Sequence, residues 1–283
     1  MSHAMTVLNY NGTVVFFKNG QLDAMKYSHS TLKGLEQERL LSLNSPLREI
    51  IRDAGMVRCV FKESDKVVIN HHPVSKSFIV DLPVDFSAVN SFYHFALQDD
   101  ASIAMQSARV ISIEAKDSYR YNRKIWIDKQ KLLPLKVEVF SLSGATLEQV
   151  VFTDLQIAEE LGVINKDEKI NASAAKHIHE IASSSFDDAD FLLLNMPEGF
   201  KTVFFTQMKM ANSEQMVDHL LLSDGFSSVS VYRELKADDT PAGLQTLGAV
   251  NSFTHVMGGF HITAMGEVPA KTVQFIAQGA QLR

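Results

Sequence analysis

The sequence has very little cysteine, no long apolar run and no excess of basic residues. Its one cysteine, Cys59, excludes an internal disulfide framework and a cysteine-rich metal site. No apolar run approaches the ~20 residues of a membrane-spanning helix. Lys and Arg number 27 against 33 Asp and Glu, giving a net charge of -6. This balance argues against a dedicated nucleic-acid-binding protein.

Apolar residues, in contrast, are plentiful. They make up 46% of the 283 residues, which is enough for ordinary folded cores, and a chain of this length favours two domains over one. The composition changes near residue 158, and the stretch that follows is charged, rich in small residues and ends in three serines. We therefore predict a first domain over residues 5–160, a linker over 161–185 and a second domain over 186–283.

Alternating apolar residues predict strands through most of both halves. The clearest region is 119–153, where Tyr119, Tyr121 and Ile125 share one face at period two and short gaps separate three strands. Gaps this short join antiparallel neighbours, because a parallel crossover needs about a dozen residues. The predicted fold class is α+β with largely antiparallel sheets. Further strands are predicted at residues 13–17, 21–29, 35–43, 56–61, 67–70, 109–115, 202–208, 218–222, 227–232, 249–254 and 260–265.

Three helices are predicted among these strands, and a short fourth is compatible with residues 172–181. The first covers residues 45–54, with an apolar stripe of Leu47, Ile50, Ile51 and Ala54. The second covers residues 85–97 and has aromatic residues around much of its circumference, so it must plug a curved sheet or shield something apolar. The third opens at Pro269, with a stripe of Val273, Ile276, Ala277 and Ala280.

No catalytic or metal-binding pattern has the required spacing. His177 and His179 have no further ligand of matching spacing, so a solvated helix is favoured over a metal site. No G-x-S-x-G elbow and no phosphate-binding glycine loop occurs. Asp224-Gly225 between two strand-like runs is typical of a hairpin turn. We therefore predict a binding protein that is not an enzyme and uses no metal or cofactor; a hydrolase of envelope material is the least favoured alternative.

A sheet curved over an aromatic helix can hold an acyl chain if its core is underfilled. Each methylene buried there contributes ~0.8 kcal/mol. Periodicity indicates which residues turn inward, but it leaves a filled core as the alternative. The residues predicted to line such a lipid cavity are Phe16, Phe61, Ile111, Ile113, Ile125, Ile127, Val137 and Val139.

Several motifs resemble the RseB (MucB) family. In the first half they are Trp126-x-Asp128, Leu133-Pro134-x-Lys136 and the run over residues 144–149. The first two motifs are shared more widely with LolA-like lipoprotein carriers. In the second half the motifs are Pro197-x-Gly199-Phe200, the run over residues 222–226 and the run over residues 266–269. Only both halves together single out RseB.

The resemblance implies a LolA-like antiparallel half-barrel with helices in its concavity, followed by a smaller α+β domain. It also implies a periplasmic negative regulator of sigma-E that binds the periplasmic region of the anti-sigma factor RseA. Such a protein shields RseA from site-1 proteolysis by DegS and releases it when lipoprotein acyl chains or lipopolysaccharide enter the first domain. No nucleic-acid partner is expected, and a homo-oligomer is left open. The alternative is a periplasmic lipoprotein or lipid carrier, which the first domain alone suggests.

The hairpin over residues 220–232 is predicted to face the anti-sigma factor. Its apolar positions are Leu221, Phe226, Val229 and Val231. Core packing is the alternative role for each of them. The substitution Val229→Asp separates the two roles, because a surface residue would lose partner binding with unchanged melting, whereas a core residue would lose both.

Overall fold

In its described part, the computed structural model contains two large, mostly antiparallel sheets, of twelve and six strands, and a two-stranded pair. It describes residues 1–32, 34–44, 48–53, 56–61, 66–71, 77–83, 85–158, 176–179, 184–209, 215–237 and 242–283. We call the part that carries the twelve-stranded sheet the N-terminal unit. The described residues from 184 onward form the C-terminal unit.

The N-terminal unit begins with a short helix, α1 (Ser2–Val7), and a second short helix, α2 (Phe86–Val89), follows later in the chain. Its strands are β1 (Tyr10–Lys18), β2 (Gln21–Leu32), β3 (Leu35–Ser42), β4 (Arg48–Asp53), β5 (Met56–Phe61), β6 (Lys66–His71), β7 (Tyr93–Ile103), β8 (Gln106–Ala115), β9 (Asn122–Asp128), β10 (Pro134–Phe140), β11 (Thr146–Ile157) and β12 (Lys176–His179). Their spatial order is β12-β6-β5-β4-β3-β2-β1-β11-β10-β9-β8-β7.

Neighbouring strands of this sheet run antiparallel, apart from β12, which lies parallel to β6. The predicted meander is confirmed, because Ile125 on β9 pairs with Val137 on β10, which pairs with Val150 on β11. These three side chains therefore share one face of the sheet. The other strands predicted in this half are confirmed to within a few residues.

One face of the N-terminal sheet is apolar and forms the core of this unit. The strap, which we define as residues 77–83, packs on this face, and its Ile79 and Val80 are buried in the core together with Val89 of α2. The helical cover is thus limited to short pieces, and the α+β half-barrel class is confirmed. Buried residues contributed by the sheet include Tyr10, Val14, Met25, Tyr27, Leu40, Ile113, Ile125, Val137 and Phe152.

The C-terminal unit starts with a 3₁₀ turn (Phe186–Asp188) and contains one longer helix, α3 (Ala270–Gln278). Its strands are β13 (Phe191–Leu193), β14 (Lys201–Lys209), β15 (Met216–Ser223), β16 (Ser228–Leu235), β17 (Gly243–Leu247), β18 (Val250–Met257), β19 (Phe260–Gly266) and β20 (Ala280–Leu282). The large sheet has the order β14-β15-β16-β19-β18-β17, and β13 pairs with β20.

The core of the C-terminal unit forms between α3 and the six-stranded sheet. Val273 and Ile276 of α3 are buried with Leu220, Val231 and Ile262 of the sheet. The five strands and the helix predicted for this half are confirmed, and Pro269 is the N-cap of α3 as expected. Ala280 begins β20 instead of extending the helix.

The helix predicted over residues 45–54 is wrong where the structure describes it, because Arg48–Asp53 is strand β4. Ile50 pairs with Leu40 of β3 and packs against the apolar core, whereas its neighbour Ile51 is buried on the opposite face. Adjacent apolar residues suit a strand covered on both sides as well as a helix, and a run this short does not distinguish them. Residues 45–47 and 54–55 lie outside the described part of the chain.

The helix predicted over residues 85–97 is wrong beyond its first turn. Only Phe86–Val89 is helical, and Tyr93 already belongs to strand β7. Along β7, Tyr93 and Phe95 are two residues apart and therefore point to the same, apolar face of the sheet. Phe95 pairs there with Ile113 of β8. Aromatic residues favour strands, and this preference together with pairing to β8 outweighs the helical spacing.

The predicted linker over residues 161–185 contributes a strand to the N-terminal sheet. Lys176–His179 forms β12, so the short helix considered within residues 172–181, with His177 and His179 on it, is wrong for these four positions. The remaining residues of that stretch up to 183 lie outside the described chain. The division into residues 5–160, 161–185 and 186–283 stays a prediction.

Candidate functional site

A cavity of about 310 Å³ lies where the apolar face of the N-terminal sheet meets the strap and the C-terminal unit. The strap forms one wall with residues 77–81, and the C-terminal unit contributes Phe226 and Glu267. The opposite wall comes from neighbouring strands of the sheet. Its apolar members are Phe16, Phe17, Val137, Val139 and Val150.

Three of the residues predicted to line a lipid cavity are found in its wall. Phe16 on β1 and Val137 and Val139 on β10 face the space directly. Strand β11 lies between β1 and β10, so the three strands are neighbours in the sheet. Phe16, Val137 and Val139 come together because alternate residues of each strand point to the same apolar face. Unfilled space therefore exists along part of the predicted wall, and its occupation by a lipid stays a prediction.

The other five predicted wall residues lie elsewhere. Ile113 and Ile125 are buried in the same core, and Ile111 and Ile127 pack against it while half-buried. Phe61 is 38% exposed. It does not reach the cavity, because three strands separate β5 from β1 in the sheet. Periodicity identified the inward face of β8 and β9, but the cavity occupies only the part of this face near β10, β11 and β1.

The mouth of the cavity is charged. The Lys18 ammonium lies 2.9 Å from Glu148 Oε1 and 3.0 Å from Glu267 Oε1, so it joins the two units. Burial raises the pKa of the Glu148 carboxyl, and the nearby charge of Glu267 raises it further. Burial opposes the charged form of Lys18, but Glu267 and Glu148 outweigh it and raise the pKa of Lys18. An apolar wall with a charged rim matches an amphiphile, whose chain and headgroup need opposite surroundings.

The turn over residues 224–227 attaches the C-terminal unit to the N-terminal core. It joins β15 to β16, and Asp224 Oδ1 accepts hydrogen bonds from the backbone N–H groups of Phe226 at 2.9 Å and Ser227 at 2.7 Å. Gly225 has φ +101°, a conformation that favours glycine. The turn that the Asp-Gly pair predicts is therefore confirmed, and it places Phe226 at the tip of a hairpin.

Asp224 faces Arg120 and Tyr93 of the N-terminal unit. Its Oδ2 atom accepts hydrogen bonds from Arg120 Nε at 2.6 Å and from the Tyr93 hydroxyl at 2.8 Å. Arg120 also donates to Asp117 and to the backbone carbonyl of Glu198. A buried ion pair of this kind needs further hydrogen bonds to offset the loss of solvation, and here they are present.

Aromatic rings surround the same guanidinium group. Arg120 Cζ lies 4.9 Å from the ring centre of Phe92 and 5.0 Å from that of Phe200, one ring from each unit. Gly199, beside Phe200, approaches Phe92 so closely that a Cβ atom would lie 2.5 Å from its ring. The junction between the units is therefore a closely packed and hydrogen-bonded surface.

Three of the four residues predicted to face a partner are buried inside the chain. Val229 and Val231 are 0% exposed in the core of the C-terminal unit, because they point from β16 toward α3 and its neighbours. Phe226 is 6% exposed and belongs to the core of the N-terminal unit. A partner cannot reach these three side chains in this arrangement, so their predicted surface role is corrected to packing.

Leu221 is the predicted partner-facing residue that remains partly accessible. It points away from the core and lines a second cavity of about 390 Å³. Val203 lies on the same side, while α1 and the strap, including Leu82 and Pro83, form the opposite walls. This cleft also lies between the two units.

A buried hydrogen-bond network around Glu38 was not predicted from the sequence. The Glu38 carboxylate accepts hydrogen bonds from the Tyr27 hydroxyl at 2.7 Å and from Arg52 Nε at 2.8 Å. It also accepts from Ser77 Oγ at 2.9 Å and from the backbone N–H of Phe78, and so it fixes the start of the strap on the sheet. The sequence feature that could have indicated this network is the presence of Glu38 and Arg52 at inward positions of apolar strands. Charged side chains that are buried need partners, so two of them at such positions indicate a pair.

Neither a cluster of metal ligands nor a membrane-spanning helix is found in the part of the chain that the structure describes. No three His, Cys, Asp or Glu side chains come together there as ligands for a metal ion. Among the described helices, none has the length and apolar composition to span a bilayer.

Comparison with known proteins gives matches along the whole chain. The model of the MucB/RseB N-terminal domain matches residues 1–176, and that of the MucB/RseB C-terminal domain matches residues 185–281. The sigma-E factor regulatory protein RseB of Haemophilus influenzae is 24% identical over 285 residues, which cover 100% of this chain and 89% of that protein. The sigma factor AlgU regulatory protein MucB of Pseudomonas aeruginosa is 24% identical over 280 residues, covering 95% of this chain and 84% of that one.

Solved structures share the fold. The crystal structure of MucB in complex with MucA(peri) superimposes with a TM-score of 0.76 at 21% identity, covering 100% of this chain and 96% of that chain. The structure of MucB alone gives a TM-score of 0.69 at 22% identity, covering 99% of this chain and 94% of that one. Both domain models match in the same order as in the family, and the fold is shared from end to end. The chain therefore belongs to the MucB/RseB family.

Proposed function

We propose that this chain is a periplasmic regulator of a sigma-E-type factor that binds the periplasmic region of an anti-sigma factor related to RseA and MucA. Bound in this way, it shields the anti-sigma factor from site-1 cleavage by a DegS-type protease. The chain acts by binding and has no catalytic activity of its own. Its organisation is a lipid-sensing domain over residues 5–160, a linker over 161–185 and a partner-binding domain over 186–283.

The observation that carries this proposal is the match to both family domains, in order and over nearly all of the chain. The relatives are named as regulators of sigma factors, and one solved relative is in complex with MucA(peri). Leu221 in the cleft between the units is the predicted contact residue that a partner can reach.

The proposal includes a lipid signal that releases the partner. The 310 Å³ cavity supports it, because its sheet wall contains a row of apolar side chains and its mouth carries Lys18, Glu148 and Glu267. Lipoprotein acyl chains or the acyl chains of lipopolysaccharide fit this chemistry. A lipid releases the partner only if it binds the partner-free state more tightly than the complex.

The test is a cleavage assay with the full chain, the periplasmic domain of the anti-sigma factor from the same organism and the matching DegS-type protease. We expect saturating amounts of the chain to slow cleavage. The substitution Leu221→Asp should weaken binding of the anti-sigma factor in calorimetry. Leu142→Asp is the matched control, because Leu142 is 48% exposed on the N-terminal unit and lines neither cavity.

Unchanged cleavage at a saturating concentration of the chain would contradict the proposal. Equal affinities of the Leu221→Asp and Leu142→Asp variants would remove Leu221 from the contact but leave the regulatory role in place.

A second candidate function is that of a lipoprotein or lipid carrier, and the apolar cavity wall favours it. A carrier moves labelled lipid from donor to acceptor vesicles without an anti-sigma factor. Transfer by the full chain, together with unchanged anti-sigma-factor cleavage, would support the carrier over the regulator.

A further inference from the structure

The wall of the cavity is shared between the two units. Phe226 reaches into it from the hairpin of the C-terminal unit, and its ring packs among rings of the N-terminal unit. The ring centres lie 5.2 Å from Tyr93, 6.1 Å from Phe95 and 6.2 Å from Phe86. Phe226 is thus an apolar group of one unit that is buried in the core of the other.

The backbone that carries Phe226 has little freedom to move by itself. Before Phe226 in the chain, Asp224 is hydrogen-bonded to Arg120 and Tyr93, and after it Ser227 Oγ accepts a hydrogen bond from Arg123 Nη1 at 3.3 Å. A Cβ atom on Gly225 would lie 2.9 Å from Pro83 Cβ, so the turn sits directly on the strap. Displacement of the ring therefore strains the contacts that hold the hairpin against the N-terminal unit.

Arg123 connects the cavity to the hairpin turn that carries Phe226. It lines the cavity and holds Ser227, the residue after Phe226. At the mouth, Lys18 makes a second connection, to Glu267 of the C-terminal unit. A molecule that enters the cavity meets groups of both units at the mouth and at the wall.

We propose that Phe226 is a plug that an acyl chain displaces, so that filling the cavity loosens the docking of the C-terminal unit. The proposal rests on the regulatory function above and assigns the residue that couples lipid binding to the partner site. Because the Phe226 ring borders the cavity beside the strap, ligand methylenes that extend beyond the open space would occupy the position of the ring. Linkage then requires that displacement of the ring and occupation of the cavity favour each other.

The test compares two variants that enlarge the same cavity from different units. Phe226→Ala removes the ring that the C-terminal unit supplies. Phe78→Ala, the matched control, removes a ring that the strap of the N-terminal unit supplies. Dodecanoate is the probe, and calorimetry gives its affinity together with the affinity of the anti-sigma factor's periplasmic domain with and without it.

For the wild type we expect dodecanoate to weaken anti-sigma-factor binding by about tenfold, within the range usual for coupled sites. Both variants should bind dodecanoate more tightly than the wild type. Phe78→Ala should keep the coupling. In Phe226→Ala, dodecanoate should change the affinity for the anti-sigma factor by less than about twofold. If Phe226→Ala fails to fold, Phe226→Leu shortens the plug with less loss of packing and should show a reduced coupling.

A second readout follows the two units directly. Spin labels at Met105→Cys and Lys236→Cys, in a Cys59→Ser background, report the distance between exposed positions of the two units. Dodecanoate should change this distance in the wild type and leave it unchanged in Phe226→Ala.

The plug is refuted if Phe226→Ala keeps the wild-type coupling, if dodecanoate does not bind, or if it binds without changing the label distance. Failure of the proposed function looks different. There the anti-sigma factor does not bind at all, while dodecanoate still changes the label distance through Phe226.

Discussion

Arg120 of the N-terminal unit and Asp224 of the C-terminal unit form an ion pair in which Nε lies 2.6 Å from Oδ2 and neither side chain is exposed. The pair is 104 residues apart in sequence. A charge removed from water to this extent depends on its partners, and Asp117 is the second carboxylate that Arg120 contacts. Removing Asp224 alone should therefore destabilise the protein more than removing one member of an exposed ion pair.

The substitution Asp224→Ala should lower the free energy of unfolding by about 3 kcal/mol, because it removes the fully buried carboxylate that bonds to Arg120, to Tyr93 and to the backbone of its own turn. Asp100→Ala is the control, since Asp100 pairs with Lys129 at a position where its side chain is 59% exposed, and such pairs contribute less than about 1 kcal/mol. Urea denaturation measures both. Equal losses in the two variants would show that the Arg120 pair does not stabilise the junction.

Gly225→Ala should destabilise the protein by more than the backbone conformation alone explains. Its φ of +101° disfavours alanine, and the added Cβ meets Pro83 of the strap at 2.9 Å. Gly144→Ala is matched to it, with φ +87° and open space around the added atom, so only the conformational cost of about 1 kcal/mol applies. The difference between the two free energies of unfolding is the contribution of the strap contact, and a difference near zero would contradict the close packing.

Val229→Asp should unfold the C-terminal unit and abolish partner binding for that reason. The side chain is 0% exposed, and an unpaired carboxylate placed there costs several kcal/mol. Met216→Asp on β15 is the control, because Met216 is 47% exposed. Thermal melting followed by circular dichroism separates the variants. An unchanged melting temperature for Val229→Asp, with binding lost, would restore the surface role that the sequence alone predicts.

Glu36 should contribute stability that acid removes. A hydrogen bond with His29 and the contacts with Arg52 outweigh burial and lower the pKa of the Glu36 carboxyl below its usual 4.5. A lowered pKa in the folded state means that the contribution is present above the usual value and is lost as the pH falls through the lowered one. Glu36→Gln should therefore lose less stability than the wild type between about pH 6 and about pH 3. Urea midpoints at both pH values measure this, with the exposed Glu114→Gln as control.

Glu148 should show the opposite dependence. Burial first, and then the charge of Glu267, raise the pKa of the Glu148 carboxyl above its usual 4.5. A raised pKa of an acid means that folding favours the neutral form, so the contribution is present at low pH and is lost as the pH rises through the raised value. The stability of Glu148→Gln relative to the wild type should therefore increase between about pH 4 and about pH 7. A decrease over this range would contradict the assigned shift.

Sequence periodicity predicted the parts of the fold that depend on local pattern and short turns. The meander around Ile125 and Val137, the hairpin turn at Asp224-Gly225 and helix α3 are confirmed. It failed for residues 48–53 and 93–97, because a few apolar residues in succession fit a short helix and a strand equally well. Pairing with distant strands decided these segments.

The candidate site was predicted only in part, for a related reason. Phe16, Val137 and Val139 were found because a strand turns alternate residues to one face. Phe226 was identified as an apolar surface residue of the hairpin, but its burial depends on how the two units dock. Such docking brings together residues far apart in sequence, as in the pair of Arg120 with Asp224, and no local pattern indicates it.

The outer strand β7 limits how copies of this chain can associate. It lies at the end of the twelve-stranded order, where backbone groups are free to pair with another strand. Between Gln98 and Ala101 its register shifts, and the irregular stretch carries Asp99 and Asp100. A bulge and adjacent carboxylates both disfavour pairing of identical edges, since the bulge interrupts the regular ladder and two copies would bring their carboxylates close together. Edge-to-edge pairing of two β7 strands is therefore disfavoured as a route to self-assembly or to fibres.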